Sequence, residues 1–242
     1  ESRASSLKPK ARSQIMPALI HFALDPFSRR MRLALAEYGV GVDFIEETPW
    51  DPSHDLFELN PAGTVPVYLE DSTSPVSGVE AIGEFLEETK SARTKLIPGD
   101  VFARAEVRRI VGWFDVKFYA EVSEPLITER VIRRYLPREN GGGGPDMGRV
   151  RQAAQRLREH LAYIGHLADH HPWLAGEALS LADLAAAAHV SVADYFGDVP
   201  WSDYPSARSW YQRIKSRPSF RPLLADTVRG MAPSANYADL DF

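Results

Sequence analysis

Strand-like sequence is confined to the first hundred residues of this chain. Short apolar or alternating segments bounded by turn residues predict strands at 18–23, 42–46, 65–70 and 75–77. Apolar positions at helical spacing predict helices at 27–38 and 79–89, and a short helix is expected before the third strand. After Pro98-Gly99-Asp100 the strand signals stop. The sequence therefore predicts a mixed α/β unit followed by a purely helical one.

The helical unit consists of long apolar-periodic segments separated by short breakers. Helices are expected at 101–134, 146–170, 181–196, 206–216 and 219–229. The glycine run 141–144 has no strand before it and no Lys-Ser/Thr after it, so it indicates a connection and not a phosphate-binding loop. The predicted organisation is a disordered leader or tag at 1–15, an N-terminal domain at 16–95, a helical domain at 100–230 and a tail at 231–242.

Composition argues against several classes of protein. The chain has 28 Lys and Arg residues against 33 Asp and Glu residues, so its net charge of −5 does not favour nucleic acid. The longest charge-free apolar run, 184–193, is far short of the roughly 20 residues that cross a bilayer. The absence of cysteine excludes disulfides, thiolate metal sites and a cysteine nucleophile, and it fits a reducing, cytoplasmic compartment.

Four histidines in the second half raise the question of a metal site. His166 and His170 have the spacing of some zinc ligands on a helix, and His160 and His171 are close in sequence. However, no Glu follows His166 in the His-Glu-x-x-His pattern. Cationic histidines near a helix C-terminus are also favoured by the helix dipole. The sequence therefore predicts no metal site and no cofactor.

Three local motifs occur in an order that matches one known family. The first strand leads into Asp25-Pro26-Phe27-Ser28, the third strand overlaps Gly63-Thr64-Val65-Pro66-Val67, and Gly176 precedes the capping-box sequence Ser180-Leu181-Ala182-Asp183. With these motifs the chain resembles the glutathione transferase family. The resemblance implies an α/β N-terminal thioredoxin-like domain with a cis-proline at Pro66, and an all-α C-terminal domain.

The same resemblance implies that the glutathione site has lost its ligand groups. Family members with this turn have Ser or Cys where the chain has Asp25, and a carboxylate repels a thiolate. Members have Glu/Gln-Ser at the start of the third helix, where the chain has Gly78-Val79. Asp25 is expected to cap the first helix instead. No residue is assigned a catalytic role, and the vestigial positions are Asp25, Ser28, Pro66, Gly78 and Val79.

The turn at Asp25, the missing Glu-Ser and the terminal sequence 236–242 resemble a narrower family of glutathione-transferase-like bacterial cell-division proteins. That resemblance implies a non-enzymatic homodimer at midcell that binds filaments of the tubulin-like GTPase FtsZ, alters their curvature and bundling, and supports constriction. Two alternatives stay open. One is an active glutathione transferase that acts on small electrophiles through Ser28 or backbone amides, and the other is a stringent-starvation-like module that contacts RNA polymerase.

Two features indicate where a partner binds. Trp50 lies in a proline-bounded loop beside the ligand cleft, where a large aromatic side chain either folds onto the domain or faces a partner. The tail ends in alternating apolar and acidic residues, which is typical of a docking segment or a lid, with fraying as the alternative. The residues predicted to contact a partner are Trp50, Tyr237, Asp239, Leu240, Asp241 and Phe242.

Overall fold

A computed structural model of the chain describes residues 16–71, 74–91 and 93–242. Its N-terminal sheet consists of β1 (Ala18–His21), β2 (Asp43–Glu46), β3 (Val67–Leu69) and β4 (Pro75–Ser77). The strand order is β2-β1-β3-β4, with β1 parallel to β2 and antiparallel to β3, and β3 antiparallel to β4. The predicted strands are confirmed, three of them with shorter bounds. The leader predicted at 1–15 lies outside the described residues.

Three helices accompany this sheet: α1 (Pro26–Glu37), α2 (His54–Leu59) and α3 (Val79–Lys90). Pro26 occupies the first turn of α1, where its missing amide hydrogen costs nothing. Gly39 follows the end of α1 with a φ of 72°, a conformation that glycine adopts without strain. Because α1 packs between α3 and the helical domain, it is buried along most of its length.

The helical domain is built around one buried helix, α7 (Leu181–Phe196). The other segments of this domain are α4 (Val101–Gly112), a π-helix (Trp113–Ser123), α5 (Glu124–Arg130), α6 (Met147–His170), α8 (Pro205–Lys215) and α9 (Arg221–Leu224). Every residue of α7 from Leu181 to Tyr195 is buried, and the predicted capping box of Ser180 and Asp183 is present. In the part of the chain that the structure describes, no helix is both long and apolar enough to span a bilayer.

Two predicted helices are wrong in extent. The segment predicted as one helix over 101–134 changes to a π-helix at Trp113, its last α-helix ends at Arg130, and a single 3-10 turn follows at Ile132–Arg134. Within the π-helix, Asp115 pairs with the buried Arg30 of α1, a contact across 85 positions that local sequence does not show. The helix predicted over 219–229 ends at Leu224, and the chain then turns so that the carboxylate of Asp226 reaches Arg32 of α1.

Candidate functional site

A cleft of about 370 Å³ lies where the N-terminal domain meets the π-helix. Its walls are the start of α1, the loops before α2 and β3, the start of α3, and one side chain of the π-helix. The lining residues are Asp25, Phe27, Glu47, Pro49, Leu56, Gly63, Thr64, Val65, Pro66, Gly78, Val79 and Tyr119. Four of the five predicted vestigial positions therefore converge on one cleft, and the fifth, Ser28, lies directly behind it.

Asp25 caps α1, as predicted. Its Oδ2 accepts hydrogen bonds from the Ser28 amide and the Ser28 hydroxyl, both at 2.7 Å. The Ser28 Oγ accepts in turn from the Phe22 amide at 3.3 Å, and Ser28 is fully buried. The hydroxyl of Ser28 thus has an acceptor for its proton and a donor for its oxygen. It is a structural group of the turn in this arrangement, not a free hydroxyl presented to a thiol.

The Asp25 carboxyl is ionised at neutral pH in surroundings that hydrate it poorly. Burial raises the pKa of Asp25 to about 6, although hydrogen bonds from Ser28 and Phe27 act in the opposite direction. A thiolate placed beside this carboxylate would add a second negative charge at the same point, which is unfavourable in a site of reduced solvation.

The start of α3 presents little polar chemistry to the cleft. Gly78 has a φ of 89°, and no side chain caps the helix. A Cβ at position 78 would meet no atom within 4 Å, so the space beside this residue is open. Glu80, the next acidic side chain, lines a separate cavity beside α4. Gly78 and Val79 thus contribute backbone and one apolar side chain to this part of the cleft.

The remaining polar walls are held by local hydrogen bonds. The Val65–Pro66 peptide bond is cis, as the family resemblance implied. The carbonyl of Thr64 accepts from the Asn60 side chain at 2.8 Å. Glu47 also lines the cleft: its Oε2 accepts from the Ser53 hydroxyl at 2.6 Å, and its Oε1 accepts from the amides of Thr48 and Ser53 at 3.0 and 3.3 Å. Glu47 therefore keeps a fixed position.

Tyr119 and Glu47 are site residues that the sequence did not reveal. Tyr119 extends from the π-helix to within 4.7 Å of the Phe27 ring, measured between ring centres. Burial raises the pKa of Tyr119 to about 12, and the charges of Asp25 and Glu124 add to this shift. The contact that brings Tyr119 to the cleft joins the two domains, so local sequence patterns do not show it.

Trp50 folds onto the helical domain and stays partly exposed. Its ring stacks on Tyr135, with ring centres 4.3 Å apart and planes inclined by 10°, and it meets Phe22 edge-on. The Tyr135 hydroxyl donates to the Arg229 carbonyl at 2.5 Å. Arg134 is next to this stack in the chain and donates to the Gly230 carbonyl. We call Trp50, Arg134 and Tyr135 the Trp50–Tyr135 surface; it joins the two domains.

Tyr237 is not a surface residue, which corrects the expectation that it contacts a partner. Its side chain is completely buried. Its hydroxyl is within 2.9 Å of Arg29 Nη1, which donates to it, and it donates to the Leu223 carbonyl at 3.0 Å. It belongs to the same aromatic cluster as Trp50. Because Arg29 is 208 positions away, alternation within the tail could not indicate this anchoring role.

The other tail residues divide into an exposed segment and a second anchor. Asp239, Leu240 and Asp241 are exposed, Leu240 by 38%. The ring centre of Phe242 lies 4.1 Å from Lys215 Nζ and 5.0 Å from the ring of Trp201. The exposed segment is thus held between Tyr237 and Phe242. No tail residue lines the cleft, so the prediction that the tail forms a lid over it is wrong in this structure.

The histidines considered as metal ligands have other contacts. His160 is buried and accepts from Trp113 Nε1 at 3.1 Å, with its other nitrogen 3.0 Å from a Glu121 oxygen. Among the described residues, one group has three side chains whose potential ligand atoms lie within 4.8 Å of one another: His54, Asp55 and Glu58. All three are exposed on α2, outside the cleft.

Family models and curated relatives match this chain along both domains. The model "Glutathione S-transferase, N-terminal domain" matches residues 26–89, and "Glutathione S-transferase, C-terminal domain" matches residues 125–218. The FtsZ-localized protein A of Caulobacter vibrioides is 45% identical over 227 residues, which cover 93% of this chain and 97% of that protein.

Solved structures agree with this picture. A glutathione S-transferase from Sinorhizobium meliloti 1021 has a TM-score of 0.90 and 48% identity, covering 94% of this chain and 100% of its own. FzlA from C. crescentus has a TM-score of 0.88 and 45% identity with the same coverage. The similarity therefore covers the sheet and the helical domain together.

Proposed function

This chain belongs to the glutathione S-transferase family, and we propose that it uses the family's fold as a binding scaffold in bacterial cell division, not as an enzyme. It binds FtsZ filaments as a homodimer at the division site, alters their curvature and bundling, and supports constriction. The observation that carries this proposal is the 45% identity with the FtsZ-localized protein A over nearly the full length of both proteins.

The geometry of the cleft supports the absence of transferase activity. The family resemblance implies a thiol-activating side chain where this chain has Asp25, and the Ser28 hydroxyl is already bonded to Asp25 and Phe22. Gly78 and Val79 supply no polar side chain at the start of α3. A ligand group that is desolvated without a partner costs about 1 to 3 kcal/mol. Glutathione would leave several of its groups in that condition here.

The contact surface in this proposal is the Trp50–Tyr135 surface together with the exposed tail residues Asp239, Leu240 and Asp241. Partly exposed aromatic side chains beside an arginine are typical of the residues that contribute most to protein interfaces. Tyr237 and Phe242 are anchoring residues, because they hold the two ends of the exposed segment in place.

Dimerisation gives this small protein two identical surfaces with which to bind a filament. A twofold dimer presents the same surface twice, so two filament subunits can be held by one particle. The second contact is then intramolecular, and the combined affinity exceeds that of one surface by orders of magnitude. Bridging neighbouring filaments gives bundles, and binding two subunits of one filament gives a defined curvature.

The test is co-sedimentation of the full chain with polymerised FtsZ. Trp50→Ala and Leu240→Ser should each reduce the pelleted fraction, whereas Met147→Ser, a matched change at an exposed apolar residue of α6, should not. Leu240→Ser is the cleaner variant, because Trp50 also packs on Tyr135 and Phe22. Failure of the unaltered chain to pellet with filaments would overturn the proposal; normal pelleting of both variants would overturn the contact surface alone.

An active glutathione transferase is the second candidate, favoured by the retained cleft, the cis peptide at Pro66 and the similarity to the Sinorhizobium meliloti enzyme. Calorimetric titration with glutathione and turnover of a generic electrophile distinguish the two functions. Our proposal expects neither heat of binding nor turnover, and saturable binding with turnover would establish the enzyme.

A further inference from the structure

The cleft keeps room for a small molecule, and the charged side chains in its wall have one sign. Its volume of about 370 Å³ is within the range of small-molecule sites. Asp25 and Glu47 both line it, and the described residues of the lining include no Lys, Arg or His. Two carboxylates without a facing cation give the cleft a negative potential that attracts positively charged ligands.

Asp25 retains the capacity to bind such a ligand. Both hydrogen bonds from Ser28 go to one oxygen, Oδ2. A carboxylate has about four acceptor positions on its two oxygens, so positions remain for a donor in the cleft. Burial raises the pKa of Asp25 to about 6, because desolvation outweighs the hydrogen bonds from Ser28 and Phe27. A cation beside it would supply the missing compensation.

The charges of Glu47 and Asp115 do not remove this imbalance. The hydrogen bonds that Glu47 accepts come from neutral groups of Thr48 and Ser53, so its charge stays unneutralised. Asp115, which lies near Asp25 below the cleft, is paired with Arg30 and faces His189 at 3.5 Å. The cation of Arg30 is therefore already committed to Asp115.

An aromatic wall lies beside Asp25. The rings of Phe27 and Tyr119 are 4.7 Å apart, both line the cleft, and the charge of Asp25 acts on the Tyr119 hydroxyl. Aromatic faces attract ammonium groups, and they also pack against apolar bodies. Leu56, Val65 and Val79 extend this apolar surface, and open space remains beside Gly78.

We propose that the cleft binds a small organic cation, namely a primary ammonium group carried on an apolar or aromatic body. The ammonium group pairs with Asp25, Glu47 adds long-range attraction, and the body packs between Phe27, Tyr119 and Val79. This ligand class is opposite in charge to glutathione, whose two carboxylates are repelled by the same walls. The site does not depend on filament binding, so either proposal can fail without the other.

The experiment is a titration of the full chain at pH 7.5 and low salt with three ligands of one shape: 2-phenylethylamine, 2-phenylethanol and 3-phenylpropanoate. Ligand-observed NMR or calorimetry measures the dissociation constants. We expect saturable binding of the amine, binding of the alcohol at least about tenfold weaker, which corresponds to 1.4 kcal/mol, and no binding of the carboxylate. Equal binding of all three ligands, or no binding of the amine at millimolar concentration, would overturn the proposal.

Variants then locate the site. Asp25→Asn keeps the helix cap, since Asn caps as well as Asp does, and should weaken amine binding about tenfold or more. Asp146→Asn is the matched control, because Asp146 caps α6 at an exposed position away from the cleft. Tyr119→Leu should weaken amine binding, whereas Tyr119→Phe, which keeps the ring, should do so much less. Amine binding that survives both Asp25→Asn and Tyr119→Leu would place the amine elsewhere and refute this site.

Discussion

Asp25 serves the fold and carries an energetic penalty at the same time. As the cap of α1 it accepts two hydrogen bonds from Ser28, which favour the ionised form. As a partly buried carboxyl it is incompletely hydrated, and that effect is the larger one, since it raises the pKa to about 6.

The raised pKa of Asp25 predicts how stability depends on pH. Between 3.8, its ordinary value, and about 6, the folded chain binds more protons at this group than the unfolded chain does. The contribution of Asp25 to the free energy of unfolding therefore increases as the pH falls from about 7 to about 4, by on the order of 3 kcal/mol. Urea unfolding of the unaltered chain and of Asp25→Asn should show this as a pH-dependent difference in favour of the unaltered chain at low pH.

Asp146→Asn is again the control. The difference in free energy of unfolding between Asp146→Asn and the unaltered chain should not show this dependence on pH between 4 and 7. A difference between the unaltered chain and Asp25→Asn that stays constant over this range would show that Asp25 is not desolvated in solution.

Individual residues were predictable where their partners are close in sequence. The cap at Asp25 and the empty start of α3 at Gly78 follow from neighbours within three positions. The burial of Tyr237 and the approach of Tyr119 to Phe27 depend on chain segments separated by roughly a hundred residues or more. From its residue type alone, each of these aromatic side chains can be either buried or partly exposed, and the tertiary fold determines which of the two occurs.

Among the elements, α7 was the most predictable and the π-helix the least. The capping box before α7 is a local pattern, and the run of small apolar residues after it indicates a helix buried on all sides. The π-helix has ordinary helical composition. In the π-helix, Asp115 pairs with Arg30 of α1, and after the early end of α9, Asp226 pairs with Arg32 of α1. Local hydrophobic periodicity does not show such long-range pairs.

The cap of α7 is expected to be a major source of stability, because Asp183 does more than cap. Its Oδ2 accepts from the Ser180 amide, and its Oδ1 accepts from the Leu174 amide at 2.9 Å and from Trp210 Nε1 at 3.0 Å. Ser180→Ala should lower the free energy of unfolding by about 1 kcal/mol. Asp183→Asn replaces one acceptor with a donor facing buried N–H groups, and should lower it by about 2 to 4 kcal/mol.

Chemical denaturation followed by circular dichroism measures both values. Equal effects of the two substitutions would mean that the contacts of Asp183 with Leu174 and Trp210 contribute little, contrary to this account.

The two domains are joined by buried ion pairs as well as by aromatic packing. Asp226, which follows α9, accepts from Arg32 at 2.8 and 2.9 Å and from Arg29 at 3.3 Å, and both arginines are buried in α1. Asp226→Ala leaves two buried cations without this partner, so we expect a loss of about 3 to 5 kcal/mol in the free energy of unfolding. Asp203→Ala, which breaks an exposed pair with Arg158, should change it little.

Thermal unfolding followed separately by tryptophan fluorescence and circular dichroism tests the coupling of the domains. A single transition that moves to lower temperature in Asp226→Ala, with the two probes still coincident, agrees with one cooperative unit. If Asp226→Ala were as stable as Asp203→Ala, the ion pairs of Asp226 with α1 would contribute little to holding the two domains together.

Bivalence makes a prediction for the complete protein on its filaments. If the chain is a twofold dimer whose two surfaces each bind a filament subunit, bundling requires both surfaces of one dimer to be engaged on different filaments. Light scattering from polymerised FtsZ should therefore rise as the protein is added, pass through a maximum, and fall when the dimers outnumber the filament sites. At that excess each site is occupied by a separate dimer, so the protein still pellets with filaments that are no longer bridged.

Leu240→Ser should shift the scattering maximum to higher protein concentration, and Met147→Ser should leave it in place. A monomer in solution light scattering at micromolar concentration, or bundling that reaches a plateau and does not decline, would contradict bridging by a bivalent particle.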